Sequence, residues 1–181
     1  MKVLKRAEFG NPILRKTARQ LSVAEIRSAK IQNLIQDMRH TLMSKKMGVG
    51  LAAPQVGKGI ALAVIAIRPT PHRPKVKPFD LVIINPLIKS NSGQKPKWEG
   101  CLSAGKESLF AKVPRASKIT LQYIDKYGQE QKKQFSGLPA QVIQHEVDHL
   151  HGVLFVDRVQ DTKTYITLAE YKKQVVGKRK K

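Results

Sequence analysis

Cysteine occurs once in the 181 residues, at Cys101, so no disulfide can form within the chain. A lone thiol fits a reducing compartment, where it is free to serve as a metal ligand. Acidic residues are scarce as well, 13 Asp and Glu against 34 Lys and Arg. Aromatic residues make up 6%, and no zinc knuckle or aromatic RNA-binding signature is found, which argues against sequence-specific nucleic-acid recognition. No apolar run approaches the roughly 18 residues of a spanning helix, and Met1-Lys2-Val3-Leu4-Lys5-Arg6 is not followed by a signal-peptide core. These absences lead us to expect a cytoplasmic protein with no membrane segment.

The length suits one domain with a proper core, so a single catalytic domain over 1–181 is expected, with a basic tail from about residue 176. The net charge of +21 predicts attraction to polyanions, with nucleic acid or a ribosome surface as the natural partner. The cations are scattered, however, and only Gly177-Lys178-Arg179-Lys180-Lys181 forms a dense run. A proteome with a generally basic bias accounts for them equally well.

The most informative stretch is Gln144-His145-Glu146-Val147-Asp148-His149. Two histidines four apart on a helix leave the same face and can grip one metal ion, while the carboxylate beside the first can hold and deprotonate a water. An amphipathic helix with two solvent histidines is the plain alternative. A catalytic centre usually has three protein ligands and an open position, so a third is sought. Cys101, in Trp98-Glu99-Gly100-Cys101-Leu102-Ser103, is the best candidate, because Gly100 lets the backbone come close. A lone cysteine is otherwise a small buried hydrophobe. His40 falls off the apolar stripe of its helix, and His72 lies in a proline-rich basic loop; both are expected to face solvent.

Three motifs in order, Gly48-Val49-Gly50-Leu51-Ala52-Ala53-Pro54-Gln55, then Glu99-Gly100-Cys101-Leu102-Ser103, then Gln144-His145-Glu146-Val147-Asp148-His149, resemble the signatures of peptide deformylase. The similarity runs from about Gly10 to Val159. It implies an α+β fold, antiparallel sheets around a central metal-binding helix. It also implies removal of the formyl group from the initiator methionine of nascent chains, with release of formate. Cys101, His145 and His149 would hold one divalent ion, ferrous iron being favoured by the resemblance and zinc, nickel or cobalt suiting the same donors. Glu146 would be the general base, and Gln55 and the Leu102 N–H would stabilise the oxyanion. Gln55 read alone is an ordinary loop hydrogen-bonding residue. Val49, Gly50, Leu138, Gln141 and Val142 would line the methionine pocket.

A Glu99–Arg115 pair is expected to orient the cysteine loop or a histidine, with a surface salt bridge as the alternative. Two departures from the family pattern stand out. After Ser103 the route to Val113-Pro114-Arg115 passes through Ala104-Gly105-Lys106 and is slightly long, and Gln141 occupies a pocket position that is often apolar. Rival readings are a zinc endopeptidase and a ribosome-associated basic protein with a structural metal.

Local patterns predict the elements. Ser22 and Glu25 form a capping box opening a helix to about residue 45, after which Gly48 and Gly50 give a loop. Strands are expected at 60–67, 80–84, 118–124 and 129–135, and 87–97 reads as a short strand followed by a polar turn. The metal-motif helix should start near Pro139 and stop at Gly152, and a last helix should span 162–175.

Overall fold

The computed structural model describes residues 1–71, 73–105 and 109–177. His72, Lys106 and the basic run at 178–181 lie outside the described residues.

Helices α1 (Val23–Arg27) and α2 (Ala29–Met43) replace the single first helix predicted from sequence. The capping box at Ser22 and Glu25 is present, but Ser28 breaks the run: it is extended (ψ 146°) and its hydroxyl caps Ile31. The expected loop at Gly50 is instead a strand, β1 (Gly50–Ala52), followed by β2 (Leu62–Ile67) and β3 (Phe79–Gly100). Strands β4 (Leu109–Ile124) and β5 (Glu130–Ser136) lead into helix α3 (Gly137–Leu150). The chain ends in β6 (Ile166–Thr167), α4 (Leu168–Tyr171) and a π-helical turn, Lys172–Val176.

All strand pairs are antiparallel, in the order β1-β2-β3-β4-β5, with β6 on β4. The fold is α+β. Strand β2 is buried at every position, because both of its faces are covered. Ala63, Ile65 and Ile67 pack towards α3 through Ala140, Ile143, Val147 and Leu150. Leu62, Val64 and Ala66 pack towards α2 through Ile31, Ile35, Met38 and Leu42. Two helices thus clamp the same strands from opposite sides.

Strand β3 changes partner along its length. Phe79 to Ile84 pair with β2; from Ile84 to Gly100 the strand pairs with β4. The change falls at Asn85, which has φ 48°, beside a register shift between Ile84 and Leu87. The polar turn predicted within 87–97 is absent: Ser92, Gln94 and Lys95 are ladder residues opposite Lys118, Ala116 and Arg115. Their exposure hides the strand from a hydrophobicity pattern. The resulting ribbon carries Cys101 just beyond its end.

The predicted last helix is likewise broken into a 3-10 turn at Thr162–Thr164, β6 and α4. Hydrogen bonds from β4 capture this segment: β6 pairs with Leu109 and Phe110, and Lys112 N–H donates to Thr164 Oγ1 at 3.1 Å. Helix α3, by contrast, ends as expected. Gly152 follows it with φ 73°, and a Cβ there would come within 2.5 Å of the Arg15 carbonyl oxygen.

Candidate metal centre

Helix α3 delivers His145 and His149 from one face, their ring centroids 4.9 Å apart and nearly perpendicular (85°). The ribbon brings Cys101 to them from the other side. One ligand atom from each of Cys101, His145 and His149 lies within 4.8 Å of the others, with Cys101 Sγ 3.2 Å from His149 Nε2. Ligand atoms on a tetrahedral ion, with bonds of about 2.0–2.3 Å, stand roughly 3.3–3.6 Å apart, so the set fits one cation with slight closing. This thiol and two imidazoles suit zinc or a divalent first-row transition metal.

Glu146 is buried in the cleft wall, and its Oε2 has no hydrogen-bond partner among the described residues. Such an oxygen is costly unless something polar meets it. Burial pushes this carboxyl up to about 7, with Glu99 adding to the rise and His145 and Arg115 opposing it. Gly50 makes the room: a Cβ there would lie 2.2 Å from Glu146 Oε1. Burial, reinforced by His145, also drives His149 well below the usual imidazole range, which leaves a neutral ring able to ligate.

Gln55 is fully buried and its orientation is set by its own turn. Ala52 N–H donates to Gln55 Oε1 at 2.8 Å, so the Nε2 end must face the site, where it donates to Ser103 Oγ at 3.2 Å and Cys101 Sγ at 3.4 Å. The N-terminal arm straps the same loops. Ala7 N–H donates to the Gln55 carbonyl and Phe9 N–H to the Ser103 carbonyl, each at 2.8 Å, and the Arg6 guanidinium holds the Leu102 carbonyl.

Behind the histidines lies a buried chain of charges. Arg115 forms a two-pronged pair with Glu99 (2.8 and 3.0 Å), and Glu99 Oε2 also meets His145 Nδ1 at 3.0 Å. The pair is not a surface salt bridge, since both side chains are at most 4% exposed. Burial alone would raise Glu99, but His145 and Arg115 overcome it and hold the carboxyl down to about 2. Arg115 also donates to Asp148 at 2.6 Å, which accepts from Arg158 at 2.8 Å. The reading from sequence missed Asp148 and Arg158. An acidic residue inside the metal motif, on the turn that must face the interior, was the available signal.

The cleft in front of the cation position has a volume of about 570 Å³, and Val49, Gly50, Leu102, Leu138, Gln141 and Val142 all line it. The Gln141 amide is already committed: it donates to the Trp98 carbonyl at 2.9 Å and approaches Glu99 Oε1 at 3.4 Å. His40 is exposed, as expected. His151, also exposed, turns its Nδ1 to the Val147 carbonyl at 2.9 Å.

Fold and site together define a metal-binding hydrolase. The sequence model of the polypeptide deformylase family matches residues 3–165, and the chain belongs to the peptide deformylases. These hydrolases remove the N-formyl group from the initiator methionine of newly made polypeptides and release formate, and this is the reaction of the present chain. Peptide deformylase 2 of Nostoc sp. is 41% identical over 172 residues, which is 93% of this chain and 92% of the relative. Among solved structures, the class I type b peptide deformylase of Acinetobacter baumannii bound to Met-Ala-Ser superposes with a TM-score of 0.81 at 36% identity, over 87% of this chain and 98% of that one. A peptide deformylase from Legionella pneumophila gives 0.75 at 34% identity, over 98% and 95%. The antiparallel sheets and central helix expected from the motifs are those of this family.

Proposed function

We propose that Cys101, His145 and His149 hold the single metal ion, that Glu146 is the general base, and that Gln55 and the Leu102 N–H receive the charge developing on the formyl oxygen. The observation that carries this reading is the unpartnered Glu146 Oε2, buried in the cleft beside three convergent ligand atoms. When bound, a divalent ion supplies an acidified water and a polarised carbonyl. Glu146 takes the proton as water oxygen adds to the formyl carbon, then returns it to the amine nitrogen as the C–N bond breaks. The products are formate and a free amino terminus. Gln55, locked by Ala52, needs only to trade its contact with Cys101 or Ser103 for the formyl oxygen.

Glu99 and Arg115 act through His145. The Glu99 carboxylate accepts a hydrogen bond from His145 Nδ1–H and so points Nε2 at the cation position. Val49, Gly50, Leu138, Gln141 and Val142 form the pocket for the methionine side chain, and the commitment of the Gln141 amide to Trp98 leaves its methylenes to face an apolar guest.

Ferrous iron is the native ion in this reading, supported by family likeness, with zinc, nickel or cobalt as substitutes. We also take the chain as one catalytic domain with a basic tail from about residue 176, acting in the cytoplasm on nascent chains at the ribosome. The net charge of +21 supports that last point. The test is formate release from formyl-Met-Ala-Ser by protein metallated without oxygen, with metal content measured in parallel. Rapid release that disappears in Cys101→Ala together with the metal is the expected result. Casein cleavage without formate would overturn the assignment of roles.

A further inference from the structure

The cleft does not end at the methionine pocket. Its lining continues outward over Trp98, Phe110 and Tyr171 on one wall and Arg73 with Met47 on the other. Tyr171, from α4, stacks on Phe110 at 4.2 Å and meets Trp98 edge-on at 5.9 Å.

The charges of this outer part are one-sided. Among the described residues the two carboxylates of the lining lie inward, Glu99 engaged by Arg115 and His145, and Glu146 beside the ligands. Outside them stand Arg73 and Lys97, with Lys112 over the Trp98 ring at 5.5 Å. Among the described residues none of these three cations has a carboxylate partner. Arg73 is half-buried, and among the described residues its guanidinium is held by carbonyls of Arg68, Met47 and Gly48 at 3.2–3.5 Å. These bonds are long, and neutral acceptors do not offset the desolvation of a cation as an anion does. Burial and the neighbouring Arg68 both disfavour its charge.

We propose that the mouth of the cleft, centred on Arg73 with Lys97, is a subsite for a carboxylate borne by the peptide just downstream of the formylated residue. The proposal rests on the formyl group lying at Cys101, His145 and His149, for only then does the following chain run outward past Arg73. The aromatic wall accepts the peptide backbone and apolar parts, while the cations select by charge. A carboxylate can come from an acidic side chain or, on a short peptide, from a free carboxyl terminus.

Both sources are tested by formate release from metal-loaded enzyme. The peptides are formyl-Met-Ala-Glu-amide, formyl-Met-Ala-Ser-amide, formyl-Met-Ala-Lys-amide and formyl-Met-Ala-Ser with a free terminus. The expected result is a kcat/KM for the Glu amide, the free acid or both that exceeds the Ser amide by about fivefold, as for a partly exposed charge pair. The Lys amide should fall below the Ser amide. The ratio should shrink in high salt, collapse towards one in Arg73→Gln, and survive in part in Arg73→Lys, with Lys97→Gln giving a smaller loss. Because the readout is a ratio between substrates, a general loss of activity in a variant does not imitate it. Equal kcat/KM for anionic and neutral peptides, or a ratio unmoved by Arg73→Gln, would overturn the subsite while formate release from the Ser amide still upholds the deformylase centre. No release from any peptide would overturn both.

Discussion

Helices α2 and α3 are nearly equal in length, 15 and 14 residues, and press on opposite faces of the same strands. Their buried residues differ in kind. Of the five on α2 four are apolar, Ile31, Ile35, Met38 and Leu42, and the fifth, Thr41, uses its hydroxyl on Asp37 O and Leu4 N. Helix α3 buries Glu146, Asp148 and His149 beside its apolar residues. Burial of apolar surface contributes stability on α2; on α3 part of the interior is given to groups that are costly when desolvated. The apolar face of α3 and the ion pairs around Asp148 hold those groups in place. One helix is built for cohesion, the other for chemistry at the expense of cohesion.

That contrast can be broken most strongly at Glu146. Replacing it with Gln should lower kcat by about 10²–10⁴ while metal content is retained, as read by formate release and metal analysis. The folded protein should be no less stable, since a buried acid is lost. Unchanged turnover would remove Glu146 from the role of base. Next in size is Gln55→Ala, for which the loss of one oxyanion donor costs about 10²–10³ in kcat; an effect on KM alone would mean that Gln55 merely binds the peptide. On the other helix, Met38→Ala should cost about 2–5 kcal/mol in denaturant unfolding, yet leave kcat/KM near the wild-type value well below the melting range. Were activity to fall in step with stability, the two helices could not be separated in this way.

The smallest effect is set by pH. Glu146 must be ionised to accept a proton, so kcat/KM should fall about tenfold per unit as pH drops below its pKa. That limb lies at or below about 7, the value to which burial pushes the carboxyl, because a bound cation draws it down. Stability has the opposite sign. A carboxyl whose folded value is raised above its ordinary value of 4.5 binds its proton more tightly when folded, so Glu146 contributes a loss of stability to the metal-free protein as pH rises from 4.5 to about 7. Urea unfolding of metal-free wild type and Glu146→Gln over that window should show the wild type losing stability relative to the variant as pH rises.

What could be read from sequence divides along the same line as local and non-local physics. Helix α3 was legible because ligand spacing, Pro139 in the first turn and Gly152 beyond the end are written within 16 residues. Strand β2 was legible from its unbroken apolar run. The ribbon from Leu87 to Gly100 was not, because its ladder with β4, rather than burial, keeps it extended. The break at Ser28 and the dissolution of the last helix also depend on partners far along the chain. At the site, residue types and motif order pointed to the ligand cluster and to Glu99 with Arg115. The partners of Asp148, Arg158 and the Arg6 strap needed coordinates, since they lie 33, 10 and 96 residues away.

The strap bears on the order of manufacture. Residues 6–9 are synthesised ahead of everything they fasten, and they have nothing to bind until the loops of Gln55, Leu102 and Ser103 exist. Ala18 waits longer still, for the carbonyl of Leu150, 2.8 Å from its N–H in the finished protein. In an enzyme that acts on unfinished chains, the contacts that fasten the loops of its own centre can therefore form only after residues far along its own chain have been made.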